Sequence, residues 1–88
     1  MSEQRPTRIL FFGHLKDVAG EAGRDVILPK EIRVRTTLID WLAGEDDLLR
    51  TALSAESVRL CIDQQVVESD ARFESPQEIG FLPPFSGG

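Results

Sequence analysis

The sequence is short of most of what chemistry is usually built from. It has one cysteine, one histidine, one tryptophan, one methionine and no tyrosine among 88 residues. A single thiol, Cys61, excludes an internal disulfide and a zinc site made of several thiolates, and it suits a reducing compartment. The lone His14 has no serine or cysteine beside it in a nucleophile arrangement, so it reads as a loop or helix-start residue. Glycine-rich phosphate loops are missing too, because Gly20, Gly23 and Gly44 fit neither GxGxxG nor GxxxxGK[ST]. Basic residues are outnumbered: 10 Lys and Arg face 15 Asp and Glu, a net charge of -5. That sign repels phosphates, which argues against nucleic acid or an anionic membrane as partner and favours a basic protein surface. No apolar run approaches a membrane span, and MSEQRPTR carries no apolar stretch of the signal-peptide kind. These absences predict a soluble, cytoplasmic protein that is not an enzyme on its own residues.

What is present describes one small domain. Residues 1–6 are polar and end in Pro6, a loose N-terminus; 7–83 hold the apolar pattern; 84–88 form a flexible tail. RILFFG (8–13) and RDVILP (24–29) read as an antiparallel strand pair, with a helical turn carried by Leu15 and Val18 and stopped by Gly20 between them. TTLIDWL opens a helix with Thr37 as N-cap and Asp40 three residues on, its stripe being Leu38, Ile39, Trp41 and Leu42. Gly44 interrupts, and Glu45, Asp46 and Asp47 suit the start of a second segment with Leu48, Leu49, Ala52 and Leu53 at helical spacing. VRLCID (58–63) alternates, with Val58, Leu60 and Ile62 opposite Arg59, Cys61 and Asp63; Cys61 reads as a small, half-buried core thiol. A turn at Gln64-Gln65 leads to a short strand at Val66-Val67, residues 68–77 are turn-like, and EIGFLP (78–83) is the last strand. The pattern gives an α+β roll: a mixed sheet of four or five strands with one main helical region packed on one face.

One feature breaks the alternation that a half-covered sheet should show. The first strand is apolar on both sides, Ile9 and Phe11 on one and Leu10 and Phe12 on the other, and Leu82 and Ile27 also fall on the wrong side. A central strand flanked by loops explains this; so does a protein-contact face, to which Leu10 and Phe12 would then belong.

The ending PPFSGG is the other oddity. Pro83-Pro84 cannot continue a strand ladder and keeps the chain extended as it leaves. Phe85 is an apolar peg, and Gly87-Gly88 offers a free carboxylate on a backbone without side chains. From Phe85 to Gly88 an extended chain spans about 13 Å, enough to pass down a narrow channel. A carboxylate is a poor electrophile, so it must first be activated, for instance as an acyl-adenylate; it then accepts sulfur or is passed to an amine.

ILFFG with its short helix, TTLIDWL, VRLCIDQQVV and above all EIGFLPPFSGG resemble the small subunit of molybdopterin synthase. The resemblance covers most of residues 8–88 and implies a ubiquitin-like β-grasp fold and a sulfur-carrier role in molybdenum cofactor biosynthesis. It implies that an E1-like enzyme adenylates Gly88 with ATP and that a sulfur donor protein supplies the sulfur of a thiocarboxylate. The tail would then enter the large subunit of a heterotetrameric synthase and give sulfur to cyclic pyranopterin monophosphate. Carried onto this chain, Gly88 bears the reactive terminus and Gly87 keeps the tail slender; Phe81, Leu82, Pro83, Pro84 and Phe85 contact the partner. No metal and no tightly bound cofactor is implied here, and the catalytic groups lie on the partner. Carriers for thiamin thiazole, cysteine or tRNA thiolation, a ubiquitin-like protein modifier, and a binding module with an inert tail remain as alternatives.

Overall fold

The computed structural model describes residues 5–84. Two helices and a helical turn lie among five strands: β1 (Thr7–Phe11), α1 (Leu15–Ala19), β2 (Gly23–Val26), α2 (Arg35–Ala43), α3 (Asp47–Ser54), β3 (Arg59–Ile62), β4 (Gln65–Val67) and β5 (Glu78–Leu82). The strands form one sheet in the order β2-β1-β5-β3-β4. β1 pairs parallel with β5, while β1–β2, β3–β5 and β3–β4 are antiparallel. The sheet is therefore mixed, and the first and last strands lie side by side at its centre.

Alternation along each strand sends one set of side chains to the core. Ile9, Phe11, Leu60, Ile79 and Phe81 are buried there together with Leu38, Ile39 and Leu42 of α2 and Leu49 and Leu53 of α3. Phe11 and Phe81 stack at 6.1 Å between ring centroids, joining the central strands on the covered face. Phe73 is also buried; it comes from the strandless stretch 68–77, and its N–H donates to the Arg33 carbonyl at 2.9 Å.

The helical region is two helices parted at Gly44, where the sequence placed an interruption. α2 begins at Arg35 behind an extended Val34 that supplies no side-chain cap. Thr37 thus sits inside the first turn, its hydroxyl donating to the Val34 carbonyl at 3.1 Å, and no capping box forms with Asp40. The chain breaks at Gly44 (φ 58°, ψ −116°), a conformation that needs glycine. α3 restarts behind Asp46, whose carboxylate accepts the Leu49 N–H at 3.1 Å. Arg50 ties the corner, donating to Asp40, Asp47 and the Gly44 carbonyl. Trp41 and Leu48 turn away from the core.

Two further expectations shift. β2 stops at Val26 and leaves Ile27 exposed beyond it. The β3–β4 turn is centred on Asp63-Gln64, not Gln64-Gln65: both have positive φ (49° and 72°), and Ile62 pairs with Gln65 across it. Two consecutive positive-φ residues give a hairpin turn the twist its strands require.

Candidate functional site

The side of the sheet away from the helices carries a graded surface, which the strand register makes explicit. One row across it runs Gly23, Leu10, Gly80, Cys61, Val66. Leu10 leans over Gly23, where an added Cβ would meet its Cδ2 at 3.0 Å. Phe12 lies over Gly80, where an added Cβ would meet its Cε2 at the same distance. The glycines are thus sockets for two apolar side chains of this face, Leu10 of β1 and Phe12 just past its end. Leu10 and Leu82 are half-buried, Phe12 is 39% exposed and Val66 55%.

The opposite end of this face is polar. Arg8 pairs across the sheet with Asp25 on one side and Glu78 on the other, and its guanidinium lies 3.0 Å from Asp25. The apolar end is the end at which β5 finishes. Because β1 and β5 run parallel, Phe12 and the end of β5 emerge together, and the apolar patch adjoins the departing chain.

Both ends of β5 are held. At its start, Asp63 accepts the N–H groups of Gln77 and Glu78 at 2.9 and 3.0 Å, and the buried Thr7 hydroxyl donates to the Pro76 carbonyl at 2.7 Å. At its finish, Phe12 N–H donates to the Phe81 carbonyl at 3.2 Å, and Pro83 packs against Gly13. An open groove of about 470 Å³ beside this exit is lined by residues that include Arg59, Val66, Leu82 and Pro84.

The positions read from the sequence separate accordingly. Leu10, Phe12, Leu82 and the exposed Pro84 come together at the apolar end of the open face. Phe81 does not: its side chain is fully buried on the helical face, because alternation places it opposite Gly80 and Leu82, so a partner contact through its ring is corrected to a core role. Pro83 is buried as well, held against Gly13. Phe85, Gly87 and Gly88 lie outside the described residues. Cys61 is on the open face rather than in the core; burial first, and the Glu78 carboxylate second, push its thiol pKa up. His14 precedes α1 and is exposed, with no side-chain hydrogen bond to the helix.

Two residues with positional roles went unread in the sequence. Gly13 has φ 58° and a Cβ there would fall 2.8 Å from Pro83 Cγ; its place directly after an apolar strand was the available signal. Arg35, 7% exposed, donates to the carbonyls of Leu53 and Ala55 at 2.8 and 3.1 Å, and burial lowers its pKa. It closes the end of α3 on the helical side, far from any role legible in local sequence.

The ThiS family model matches residues 9–88. The chain belongs to the ThiS family. It is accordingly a ubiquitin-like sulfur-carrier domain, of a kind that works with partner enzymes, and the match runs through Gly88. No curated protein matches the chain. Among solved structures, SAMP1 from Haloferax volcanii superposes with a TM-score of 0.73 at 18% identity, covering 96% of this chain and 100% of that one. The small archaeal modifier protein 1 of Methanosarcina acetivorans gives 0.71 at 18%, covering 99% and 100%. A provisionally named molybdopterin converting factor subunit 1 from Pyrococcus furiosus gives 0.66 at 19%, covering 91% and 98%. At these identities the likeness shows the fold, a β-grasp with helices on one face of the mixed sheet. Among the described residues no helix is long and apolar enough to cross a membrane.

Proposed function

We propose that this ThiS-family chain carries sulfur for molybdenum cofactor biosynthesis as the small subunit of molybdopterin synthase. The observation that carries the reading is the family match through Gly88, joined to a β5 strand that runs directly into Pro83-Pro84 at the apolar end of the open face. The converting-factor neighbour from Pyrococcus furiosus supports the same pathway.

On this reading the Gly88 carboxylate oxygen attacks the α-phosphorus of ATP on an E1-like enzyme, and pyrophosphate leaves. A hydrosulfide-level sulfur, brought by a donor protein, attacks the acyl carbon; AMP leaves with the mixed-anhydride oxygen, and the terminus becomes a thiocarboxylate. In the large synthase subunit that sulfur attacks a carbon of cyclic pyranopterin monophosphate and the carbon–oxygen bond there breaks, the oxygen taking the electron pair as the leaving group. Water then cleaves the acyl–sulfur link and returns the carboxylate. The carrier's own part is to dock and to present. Leu10, Phe12, Leu82 and Pro84 supply an apolar contact beside the exit, and Gly87 lets the tip enter a channel that excludes water.

The SAMP1 neighbours favour a second reading, a ubiquitin-like modifier whose activated Gly88 passes to a lysine amine. One experiment tests both. The Cys61→Ser protein is incubated with the E1-like enzyme, ATP and sulfide, alkylated, and weighed intact. An alkyl adduct at Gly88 is expected, and it should disappear once the large subunit and cyclic pyranopterin monophosphate are added. An adduct that survives that addition removes the molybdopterin assignment, and lysine-linked conjugates in its place install the modifier. A terminus left unmodified by an enzyme active on its own carrier rejects the sulfur chemistry altogether.

A further inference from the structure

Charge is divided along the open face, and the strand register places the division. At the start of β5 the row Asp25, Arg8, Glu78 crosses the sheet, and Arg8 is already paired with Asp25, which leaves Glu78 as the excess charge. At the finish of β5, Arg59 stands across from Leu82. Arg59 is exposed, and alternation along β3 sends it to the same face as Cys61, because Leu60 between them is buried in the core. Among the described residues Arg8, Arg24 and Arg50 each hold a carboxylate, and Arg59 holds none. It lines the groove of about 470 Å³ with Val66, Leu82 and Pro84; Glu56 borders the same groove without forming an ion pair to it. From Glu78 to Leu82 a strand spans about 13 Å. That exceeds the screening length of about 8 Å at physiological salt, so the two ends act as separate charges and do not cancel. A partner that is basic where it meets Glu78 thus needs the opposite sign where it meets Arg59.

We infer that Arg59 is the recognition point for a carboxylate of the activating enzyme, an aspartate or glutamate that enters the groove beside the finish of β5. This rests on the sulfur-carrier reading above and names the chemistry by which that partner is chosen and oriented. A guanidinium offers a planar fork of donors that matches the two carboxylate oxygens, with a direction that an ammonium lacks. Leu82, Val66 and Pro84 line the groove with it and exclude water once the partner seats. The closed pair is then screened much less than an open one, so it holds against salt. A partner docked the other way round would set its basic groups against Arg59 and its carboxylate against Glu78. Both contacts repel, which fixes the orientation.

The test follows adenylation by the E1-like enzyme in initial rates, using full-length Arg59→Met, Arg59→Lys, Arg59→Glu and, as control, Arg72→Glu. Arg72 is exposed in the strandless stretch 68–77 and does not line the groove, and its reversal changes the net charge as much as that of Arg59. Arg59→Met should raise KM by about thirtyfold or more, because it strands the partner's carboxylate in a dry contact. Arg59→Lys should fall between, keeping the charge without the fork, and Arg59→Glu should go beyond Arg59→Met. In all three kcat should stay within about twofold, since the pair is the same in the bound state and the transition state. Arg72→Glu should leave KM within about twofold or lower it, because added negative charge speeds encounter with a basic surface. Equal rises for Arg59→Glu and Arg72→Glu reduce the effect to net charge and overturn the inference. An unchanged KM for Arg59→Met overturns it as well, and so does a loss confined to kcat. Should Arg59→Glu fail to fold, Arg59→Met, which keeps an apolar stem and adds no charge, decides the matter. A wild-type chain left unadenylated by an enzyme active on its own carrier defeats the carrier reading and this contact with it. Wild-type adenylation with unaffected variants defeats the contact alone.

Discussion

Cys61 shows how one residue's surroundings set its chemistry. Its register neighbours are Gly80 and Val66 on the open face, and burial with the nearby Glu78 carboxylate disfavours the thiolate. The folded-state pKa is raised, so the folded chain holds the thiol proton more tightly than the unfolded one. The resulting stabilisation is complete below the ordinary thiol value of about 8.5 and is lost as pH rises through the folded value. Native Cys61 should therefore react with iodoacetamide more slowly than the same thiol in the unfolded chain at pH 7.5. The gap should close only as pH climbs past the ordinary value. Intact-mass time courses at several pH values check this, and equal rates at pH 7.5 would refute it. On the proposed function, burial and Glu78 make the chain's one thiol a weaker competitor of a C-terminal thiocarboxylate for electrophiles.

At the scale of elements, the corner between α2 and α3 is set by its caps, and they differ in kind. Asp46 has one well-formed bond to the Leu49 N–H, so Asp46→Ala should destabilise the protein by about 1 kcal/mol in denaturant unfolding. Thr37→Ala should fall well short of that, because its exposed hydroxyl only bonds back to the Val34 carbonyl. Equal losses would mean that the Asp46 cap contributes nothing special. The same corner shows what the sequence made legible. Gly20, Gly44 and the acidic run at 45–47 are local signals, and the structure uses them as stops and a start. The onset of α2 was not local: Val34 is a poor cap by type, and Arg35 belongs to the helix because its guanidinium reaches the end of α3 across 18 residues. The Asp63-Gln64 turn lacks the glycine that usually marks such a site, so its register read one residue late. Phe73 was missed because burial from a strandless segment has no periodicity to announce it. For the site, alternation located Leu10, Phe12 and Leu82 on the open face. It also put Phe81 on the other side, and the apolar run EIGFLP obscured this by being apolar on both.

Across the whole molecule, one face combines an apolar end at the tail exit with a paired-charge end at Arg8 and Asp25, on a chain whose net charge is -5. These properties act at different stages of binding. The excess negative charge is long-ranged and speeds encounter with a basic partner, whereas the apolar end is felt only on contact. On the proposed function, binding to an E1-like activating enzyme should accordingly respond in separate ways to salt and to a neutral truncation. Raising ionic strength from about 0.05 M to about 0.5 M shortens the screening length to a few ångströms and should lower the association rate by about tenfold, with little effect on dissociation. Val66→Ser removes apolar surface from an exposed edge strand without changing charge; it should speed dissociation, leave association within about twofold, and cost the fold little. Surface-immobilised kinetics of both proteins at two salt concentrations separate these effects on association and dissociation. If salt moved dissociation and Val66→Ser left it unchanged, the partner would be gripping the charged end of the face. The exit of β5 would then lie away from the contact, and the tail could not be delivered from the docked position that the sulfur chemistry requires.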